Sequence, residues 1–440
     1  MKDTFTKGKM IVFSSMTVSV GIGAILLGWV TFFATDYLGL SAAKVGLLFM
    51  ISKIFDGFTD LVAGYIIDKS HSRLGKGRPY EFAQIGYWVC LVLMFVVPIM
   101  NEGLTYAWIF IMYTLANSVF LTLLNCSNPV YMANVIDRPE QTLTANAIIG
   151  VISMIASTLG GMIIPQLVAT VGQTRLGWSV IAIGMGAIAL VIGMLRFFIV
   201  KEKEGRNATT EIFTIKDTFN VITHNKYILI FSLVIFISNI GYNLTYGATN
   251  YYCTYVLGDV GLVSFMSLTM LSSVISLVIT PIVAKKIGLT KFMRILSIIS
   301  VVASLLRLIN PYSLVLVFVT GFFCTIAFLT VWLYMNTFII DCIDYGEWST
   351  GIRSEGSITC VQSVFAKVGT AIGAGLIGVL MGISGYNGVL EVQPDSAINM
   401  LIIMYAIVPA VFALLQYIVL RFYNLDEKLP QIRKELAERN

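Results

Sequence analysis

Apolar runs about as long as a bilayer is thick recur from one end of this chain to the other. A helix needs about 20 apolar residues to cross the hydrocarbon core. Twelve candidate spans can be marked. Six lie near 11–35, 42–67, 82–100, 106–135, 141–171 and 176–200. Six more lie near 227–257, 261–284, 291–309, 312–341, 356–384 and 398–423. Of the 440 residues, 57% are hydrophobic and 12% are charged, whereas a soluble domain carries about 25% charge. No water-facing surface can be made from that supply, so the expected class is an all-α membrane protein. The first run is too long for the apolar core of a signal peptide, and it is expected to stay as a span.

Basic residues set the orientation. With the N-terminus inside, the inner segments carry Lys69, Arg73, Lys76, Arg78, Arg138, Lys201, Lys203, Lys285, Lys286, Lys291, Arg294 and Arg353. The outer segments carry Lys44, Arg175 and Arg307. Both termini are therefore expected in the cytoplasm, with the chain in the plasma membrane. The net charge of +5 lies in these loops and not on one basic face, so nucleic acid is not an expected partner. Six cysteines sit in or at the ends of apolar runs with no CxxC pair. They read as small packing residues and not as disulfide or metal ligands.

The longest hydrophilic stretch, KEKEGRNATTEIFTIKDTFNVITHNK, separates six spans from six. The expected organisation is an N-terminal half over 1–200, a cytoplasmic linker over 201–226, a C-terminal half over 227–424 and a cytoplasmic tail over 425–440. Two six-helix halves joined in this way are the plan of the major facilitator superfamily, whose halves rock around a central site. The tail reads as a solvated or interfacial helix, and no function attaches to it.

Three charges fall inside the second span, in KIFDGFTDLVAG. A charge at a helix centre costs at least about 2.5–3.5 kcal/mol, so such residues face the bundle interior and find partners. At about 100° per residue, Asp60 lies roughly 40° from Asp56, and Lys53 lies roughly 60° to the other side. Thr59 borders the same face. Two close carboxylates repel unless something positive stands between them. Na⁺ held by carboxylate and hydroxyl oxygens would serve, and so would a proton. A purely structural ion-pair cluster is the alternative. In the eleventh span Lys367 is a second isolated charge, with no acid within eleven residues. The small residues that follow it permit close helix approach.

Two spans carry uncharged polar stripes. In NIGYNLTYGATN, residues Asn239, Tyr242, Asn243, Tyr246 and Asn250 fall within about 100° of one another. The fourth span carries Asn117, Asn125, Asn128 and Tyr131 around Pro129. Trp332 and Asn336 are one turn apart in the tenth. Amides and phenols suit a ligand with many hydroxyls, and tyrosine rings can stack on a sugar. Hydrogen bonding between helices is the alternative.

KIFDGFTDLVAGYIIDKSHSRLGKGRPY, DCIDYGEWSTGIRSEGSITCVQSVFAKVGTAIGAG and TDYLGLS resemble the signatures of the glycoside–pentoside–hexuronide:cation symporters, the family that includes melibiose permease. The likeness spans both halves and implies the twelve-helix major facilitator fold. It implies that Asp56 and Asp60 are the paired cation-site aspartates, with Na⁺ bound there if sodium is the coupling ion. It also implies that Thr59 stands where melibiose permease has an asparagine, and that Lys53, Ser363 and Lys367 border the cation site. By the same likeness, Trp332 and Lys367 border the sugar.

The departures bear on the substrate. Melibiose permease grips galactosyl hydroxyls with acids in its first and fourth helices. Val20 and Ser127 stand at those positions here, and Tyr131 replaces a tryptophan. The fifth span has no Lys or Arg. The expected ligand is therefore a β-glycoside, pentoside or oligosaccharide and not melibiose. A hexuronide would need a basic partner, for which Lys367 is the main core candidate.

At the inner ends, Arg73, Lys76 and Arg78 follow the second span, while Asp341, Asp344, Glu347 and Arg353 follow the tenth. Opposite charges on the two halves suit a cytoplasmic gate. Ordinary positive-inside charge and helix capping are the alternative. The resulting expectation is a monomeric secondary active symporter in the lipid bilayer, moving a sugar with Na⁺ or H⁺ and using no other cofactor. A cation-coupled transporter of lysolipid or another non-sugar solute is the second reading. A membrane enzyme is disfavoured, because the acid pair lies in mid-span and not at the surface.

Overall fold

Helices carry the chain from Lys7 to Arg439. The computed structural model describes residues 5–70, 72, 74–136, 139–202, 225–350, 355–390 and 392–439. Two units divide it. The first comprises 1–209, 259–267 and 385–393, and the second comprises 210–258, 268–384 and 394–440.

The first unit begins with a span in three pieces, α1 (Lys7–Phe13), α2 (Ser15–Leu27) and α3 (Val30–Asp36). Then come α4 (Ala42–Lys69) and α5 (Ala83–Phe95), the latter led in by a 3₁₀ turn over Arg78–Phe82. The fourth run is α6 (Glu102–Thr114), a π-helical segment over Leu115–Leu121 and α7 (Thr122–Val135). The fifth and sixth are α8 (Pro139–Thr170) and α9 (Arg175–Ile199). The third run stops short of its expected end at 100. Val96 leaves helical dihedrals at φ −104°, ψ 68°, and Pro98 disfavours a helical residue before it.

The second unit contains α10 (Lys226–Tyr251), α12 (Ser272–Ile287), α13 (Leu289–Leu306) and α14 (Leu314–Leu333). It continues with α15 (Met335–Thr350), α16 (Glu355–Ile383), α17 (Asp395–Leu420) and α18 (Leu425–Arg439). The short α11 (Leu262–Ser267) groups with the first unit. The expected tenth run breaks at Tyr334, which sits at φ −106°, ψ 11°. It therefore divides into α14 and α15.

Among the described residues, ten helical stretches are long and apolar enough to cross a membrane. The two remaining candidates have plain reasons for falling outside that set. The helix α4 is long but carries Lys44, Lys53, Asp56, Asp60 and Lys69, and α5 is only 13 residues long.

The packing is that of a protein in lipid. Along α9 the buried face sets the small residues Gly177, Ala182, Gly186, Ala189 and Gly193 beside Trp178, Ile181 and Arg196. The exposed face is large and apolar, with Val180, Ile183, Ile188 and Val191. Small residues inside allow helices to touch, and large ones outside meet acyl chains. One buried charge had no place in the sequence reading. Arg196 and Glu81 are both fully buried and form an ion pair. Gln84 Nε2 donates to Glu81 Oε2 at 2.7 Å. The five cysteines described at side-chain level form no disulfide with one another.

The C-terminal helix corrects an expectation. It is not merely solvated or interfacial. Leu425, Leu429 and Ile432 of α18 are buried in one core with Tyr227, Phe231, Phe338 and Tyr423. Phe231 and Phe338 stack at 4.2 Å within it. The helix is amphipathic, and its apolar stripe covers that core of the second unit.

Candidate functional site

Two rows of short polar side chains meet in the first unit. On α4 the row is Ser52, Asp56 and Asp60, one every four residues. Facing it are Thr114, Ser118 and Thr122, also four apart, running from α6 through the π-helical segment into α7. Thr114 Oγ1 donates to Ser52 Oγ at 3.0 Å. Ser118 Oγ donates to Asp56 Oδ1. Thr122 Oγ1 donates to Asp60 Oδ1 at 3.3 Å. Each pair is 62 residues apart, a constant offset that makes the two helical runs parallel. Helical faces repeat at i, i+4, so equal spacing produces rungs. π turns of this kind concentrate at functional sites.

Lys53 completes the ladder. Its Nζ donates to Asp56 Oδ2 at 3.2 Å and to Asn117 Oδ1 at 3.1 Å. It lies 5.7 Å from the ring centroid of Tyr113, close enough for cation–π attraction. Thr59 turns its hydroxyl proton back onto its own helix, to the carbonyls of Asp56 at 3.2 Å and Phe55 at 3.3 Å. Its oxygen lone pairs remain available as acceptors. Lys53, Asp56 and Asp60 together carry one excess negative charge, surrounded by hydroxyl oxygens. That donor set is hard and oxygen-rich, suited to a small cation or a proton. Of the residues expected at the cation site, Lys53, Asp56, Thr59 and Asp60 come together on α4. Ser363 and Lys367 lie one turn apart on α16, in the second unit.

The expected sugar-side residues divide. In the second unit Asn239 is a buried hub. Its Oδ1 accepts from Trp332 Nε1 and from Thr370 Oγ1, each at 3.2 Å. Its Nδ2 donates to the Ile235 carbonyl at 2.8 Å. Three helices, α10, α14 and α16, therefore fix one amide, and that amide fixes an indole that is 54% exposed. Asn243 is tied to the Asn239 carbonyl at 2.9 Å. Tyr242 and Tyr246 stack with ring centroids 5.9 Å apart and planes inclined by 12°. Asn250 is buried and Asn336 is exposed. Close approach of α16 to α10 depends on glycine. A Cβ on Gly369 would come within 2.7 Å of the Phe236 carbonyl, and one on Gly373 within 2.9 Å of the Ile240 carbonyl.

In the first unit Asn125 is exposed, but its neighbours on the fourth run have structural partners. Ser127 is fully buried and donates to the Leu124 carbonyl at 3.2 Å. Tyr131 is fully buried and donates to the Val200 carbonyl at 2.5 Å. Asn128 Oδ1 accepts from Arg196 Nη1 at 2.6 Å. The guanidinium lies 4.4 Å from the Phe13 ring and 4.9 Å from the Tyr131 ring. Asn128 and Tyr131 thus both contact the buried Arg196.

Of the expected gate residues, Arg78, Asp341 and Asp344 each have a side-chain partner within their own unit. Arg78 donates through Nε and Nη2 to the Phe197 carbonyl at 3.0 and 2.8 Å. The backbone N–H groups of Lys76, Gly77 and Arg78 all donate to the Glu202 carboxylate. Arg433 of α18 donates to Asp341 Oδ1 at 3.0 Å and to Asp344 Oδ2 at 2.8 Å. Asp341 lies beyond the spanning helix α14, and burial pushes its carboxyl up to about 6, against the pull of Arg433. Glu347 is half-buried on α15. Arg73 and Arg353 lie outside the described residues.

Sequence reading missed Ser52, Thr114, Ser118 and Thr122. The available signal was the equal four-residue spacing of polar positions in the second and fourth runs. Arg196 was also visible as a charge within the sixth run.

Known proteins share this architecture. The family described as MFS/sugar transport protein matches residues 12–427. An isoprimeverose transporter of Lactiplantibacillus pentosus is 29% identical over 422 residues, covering 94% of this chain and 87% of its own. A glucuronide carrier protein homologue of Escherichia coli K12 is 24% identical, covering 92% and 90%. Among solved structures, a bacterial homologue of the lysosomal transporter Spinster, inward-facing and unoccupied, has TM-score 0.68 at 11% identity. It covers 98% of this chain and 99% of its own. Nucleoside transporter NupG has TM-score 0.65 at 15% identity, covering 95% and 99%. At those identities the likeness to solved structures speaks for the fold alone. With the family matched almost from end to end, the chain belongs to the MFS/sugar transport proteins, in the glycoside–pentoside–hexuronide:cation symporter group of the major facilitator superfamily.

Proposed function

We propose that this protein is a secondary active transporter that couples uptake of a sugar to a co-transported Na⁺ or H⁺ by alternating access. The observation that carries the reading is the ladder around Asp56. It holds two carboxylates, one lysine and several hydroxyls inside a helix pair where charge is expensive. The family match gives the ladder its context. In this reading the cation competes with the Lys53 ammonium for Asp56 and uses the hydroxyl oxygens beside it. Ser363 and Lys367 serve the same site from α16.

The sugar is a glycoside, pentoside or oligosaccharide. Trp332, held by Asn239, offers its indole face to the sugar ring. Asn125, Asn243, Tyr242, Tyr246, Asn250 and Asn336 supply the polar rim. Relatives named for isoprimeverose, sulfoquinovose and glucuronide define the substrates to try first. The gate uses Lys76, Arg78, Asp341, Asp344 and Glu347, with Arg73 and Arg353. The protein acts as a monomer in the plasma membrane, with both termini and the linker over 201–226 in the cytoplasm.

The test is uptake into proteoliposomes from a panel of glycosides, including isoprimeverose, sulfoquinovose and a glucuronide. One arm applies an inward Na⁺ gradient at constant pH, and the other a pH gradient without Na⁺. Asp56→Asn is the paired variant. Accumulation of one sugar under one gradient, abolished in the variant, is expected and identifies the ion. Accumulation that persists in Asp56→Asn removes the ladder from coupling. Transport of a lysolipid with no sugar moving under either gradient replaces the sugar reading.

A further inference from the structure

The inner end of the second unit holds a cavity of about 290 Å³. It lies between the start of α13 and the junction of α17 with α18. Lys291, Arg294 and Arg421 line it, against Asp426 and Glu427. The two acids are already answered. Asp426 Oδ2 accepts the Thr290 N–H at 2.8 Å. Glu427 faces Lys291 at 3.1 Å, with both side chains more than half exposed, and a pair that exposed is worth little. Arg294 and Arg421 have no ion-pair partner among the described residues.

A second observation is independent of charge. Thr290 lines the same cavity, is only 2% exposed, and its hydroxyl has no hydrogen-bond partner among the described residues. A buried hydroxyl left unpaired costs about 1–3 kcal/mol. This one sits in the first turn of an 18-residue helix, whose N-terminal end favours anions. A buried hydroxyl, two guanidiniums and a helix start therefore converge on one space. Lys285 and Lys286 close the preceding helix and add to the positive field.

We propose that this cavity binds a phosphate-bearing anion, with Thr290, Arg294 and Arg421 as its ligands. Its place at the lysine-rich ends of membrane helices matches the basic pockets that take phospholipid head groups on the cytoplasmic side. A phosphodiester of an anionic lipid and free inorganic phosphate share the chemistry, and the experiment separates them. The proposal does not depend on which sugar or ion is transported.

The full-length protein, purified in detergent, is titrated with phosphatidylglycerol or phosphatidylcholine and read by native mass spectrometry. In parallel, its thermal unfolding is followed against inorganic phosphate at constant ionic strength. Two variants are compared with the native protein. Arg294→Gln with Arg421→Gln removes both guanidiniums. Thr290→Val keeps the shape and charge and removes the hydroxyl. The native protein is expected to retain one phosphatidylglycerol in preference to phosphatidylcholine. The double variant should bind it about 25-fold more weakly, at roughly fivefold per cation near the surface. Thr290→Val should weaken it about fivefold. Stabilisation by phosphate that both variants lose, with unchanged lipid retention, supports the site with free phosphate as its occupant. Equal lipid retention and equal phosphate response in all three proteins would overturn the proposal. If the double variant does not fold, Thr290→Val alone decides.

Discussion

Ser118 donates its hydroxyl proton to Asp56 Oδ1 from a helix 62 residues further along the chain. On its other oxygen Asp56 meets Lys53. The carboxylate is thus held between a neutral donor and a charged one. Anything that changes the donor changes how strongly Asp56 holds a competing cation.

With Na⁺ as the coupling ion, Ser118→Ala is expected to raise its half-saturating concentration by about tenfold or more, through loss of the hydroxyl oxygen beside Asp56. A hydrogen bond to a charged group is worth about 1.5–3 kcal/mol, and 1.4 kcal/mol is a factor of ten. Ser118→Thr should retain native behaviour. Thr114→Val, which breaks a rung with no carboxylate, should change the constant far less. Initial uptake rates against ion concentration measure all three, and an unchanged constant in Ser118→Ala would remove the rung from ion binding.

Gly369→Ala should destabilise the second unit by about 1–3 kcal/mol, the range for overpacking a tight contact. The added methyl would meet the Phe236 carbonyl at 2.7 Å. Gly64→Ala is the control, since nothing lies within 4 Å of a Cβ there. It should be neutral or stabilising by up to about 1 kcal/mol. Thermal unfolding in one detergent compares them, and equal shifts would contradict the close approach of α16 to α10.

Glu81→Gln leaves the fully buried Arg196 without its counter-charge. Breaking such a pair costs about 3–5 kcal/mol, whereas replacing both partners with neutral groups costs far less. The single variant should give little folded protein. Adding Arg196→Met should recover much of the yield on size-exclusion chromatography. Failure of the double variant to improve on the single one would mean that Asn128 and Tyr131 depend on the arginine itself.

Arg433→Ala should destabilise the protein by about 1–3 kcal/mol at neutral pH, and by less at pH 5. The sign follows from Asp341. Its folded pKa of about 6 is above the ordinary 3.8. Well below 3.8 the group is protonated whether folded or not and has no effect. As pH rises from 4 to 6 the unfolded chain ionises first, so stability falls across that window. Removing Arg433 raises the folded pKa further and deepens the loss at pH 7.5. Asp341→Asn in the Arg433→Ala background should restore stability. Melting curves at pH 5 and 7.5 test this, and an equal loss at both would argue against titration of Asp341.

The spans were legible because hydropathy over twenty residues is a strong signal, and Asp56 and Asp60 were legible because charge in lipid is rare. Ser118 and Thr122 were not. Hydroxyls are common in membrane helices, and their direction here depends on a π-helical segment that no local pattern announces. The contact of Asn128 and Tyr131 with Arg196 was not legible, because a polar stripe looks the same whether it meets a sugar or a buried guanidinium. Arg196 lies 68 residues from Asn128 and 115 from Glu81, separations at which pairing cannot be read from spacing. The tail misled in the opposite way, since its few apolar residues are diluted by charge yet align on one buried face.

Arg433 comes 89 residues after Asp344 and 92 after Asp341. At a synthesis rate of about 5–20 residues per second, the acids wait roughly 5–20 s for their counter-charge. Through that interval the nascent second unit holds Asp341 and Asp344 without Arg433, while α16 and α17 are still being made. The ion pair that joins α18 to α15 is therefore also a timing mark, separating a membrane-inserted chain from a finished one.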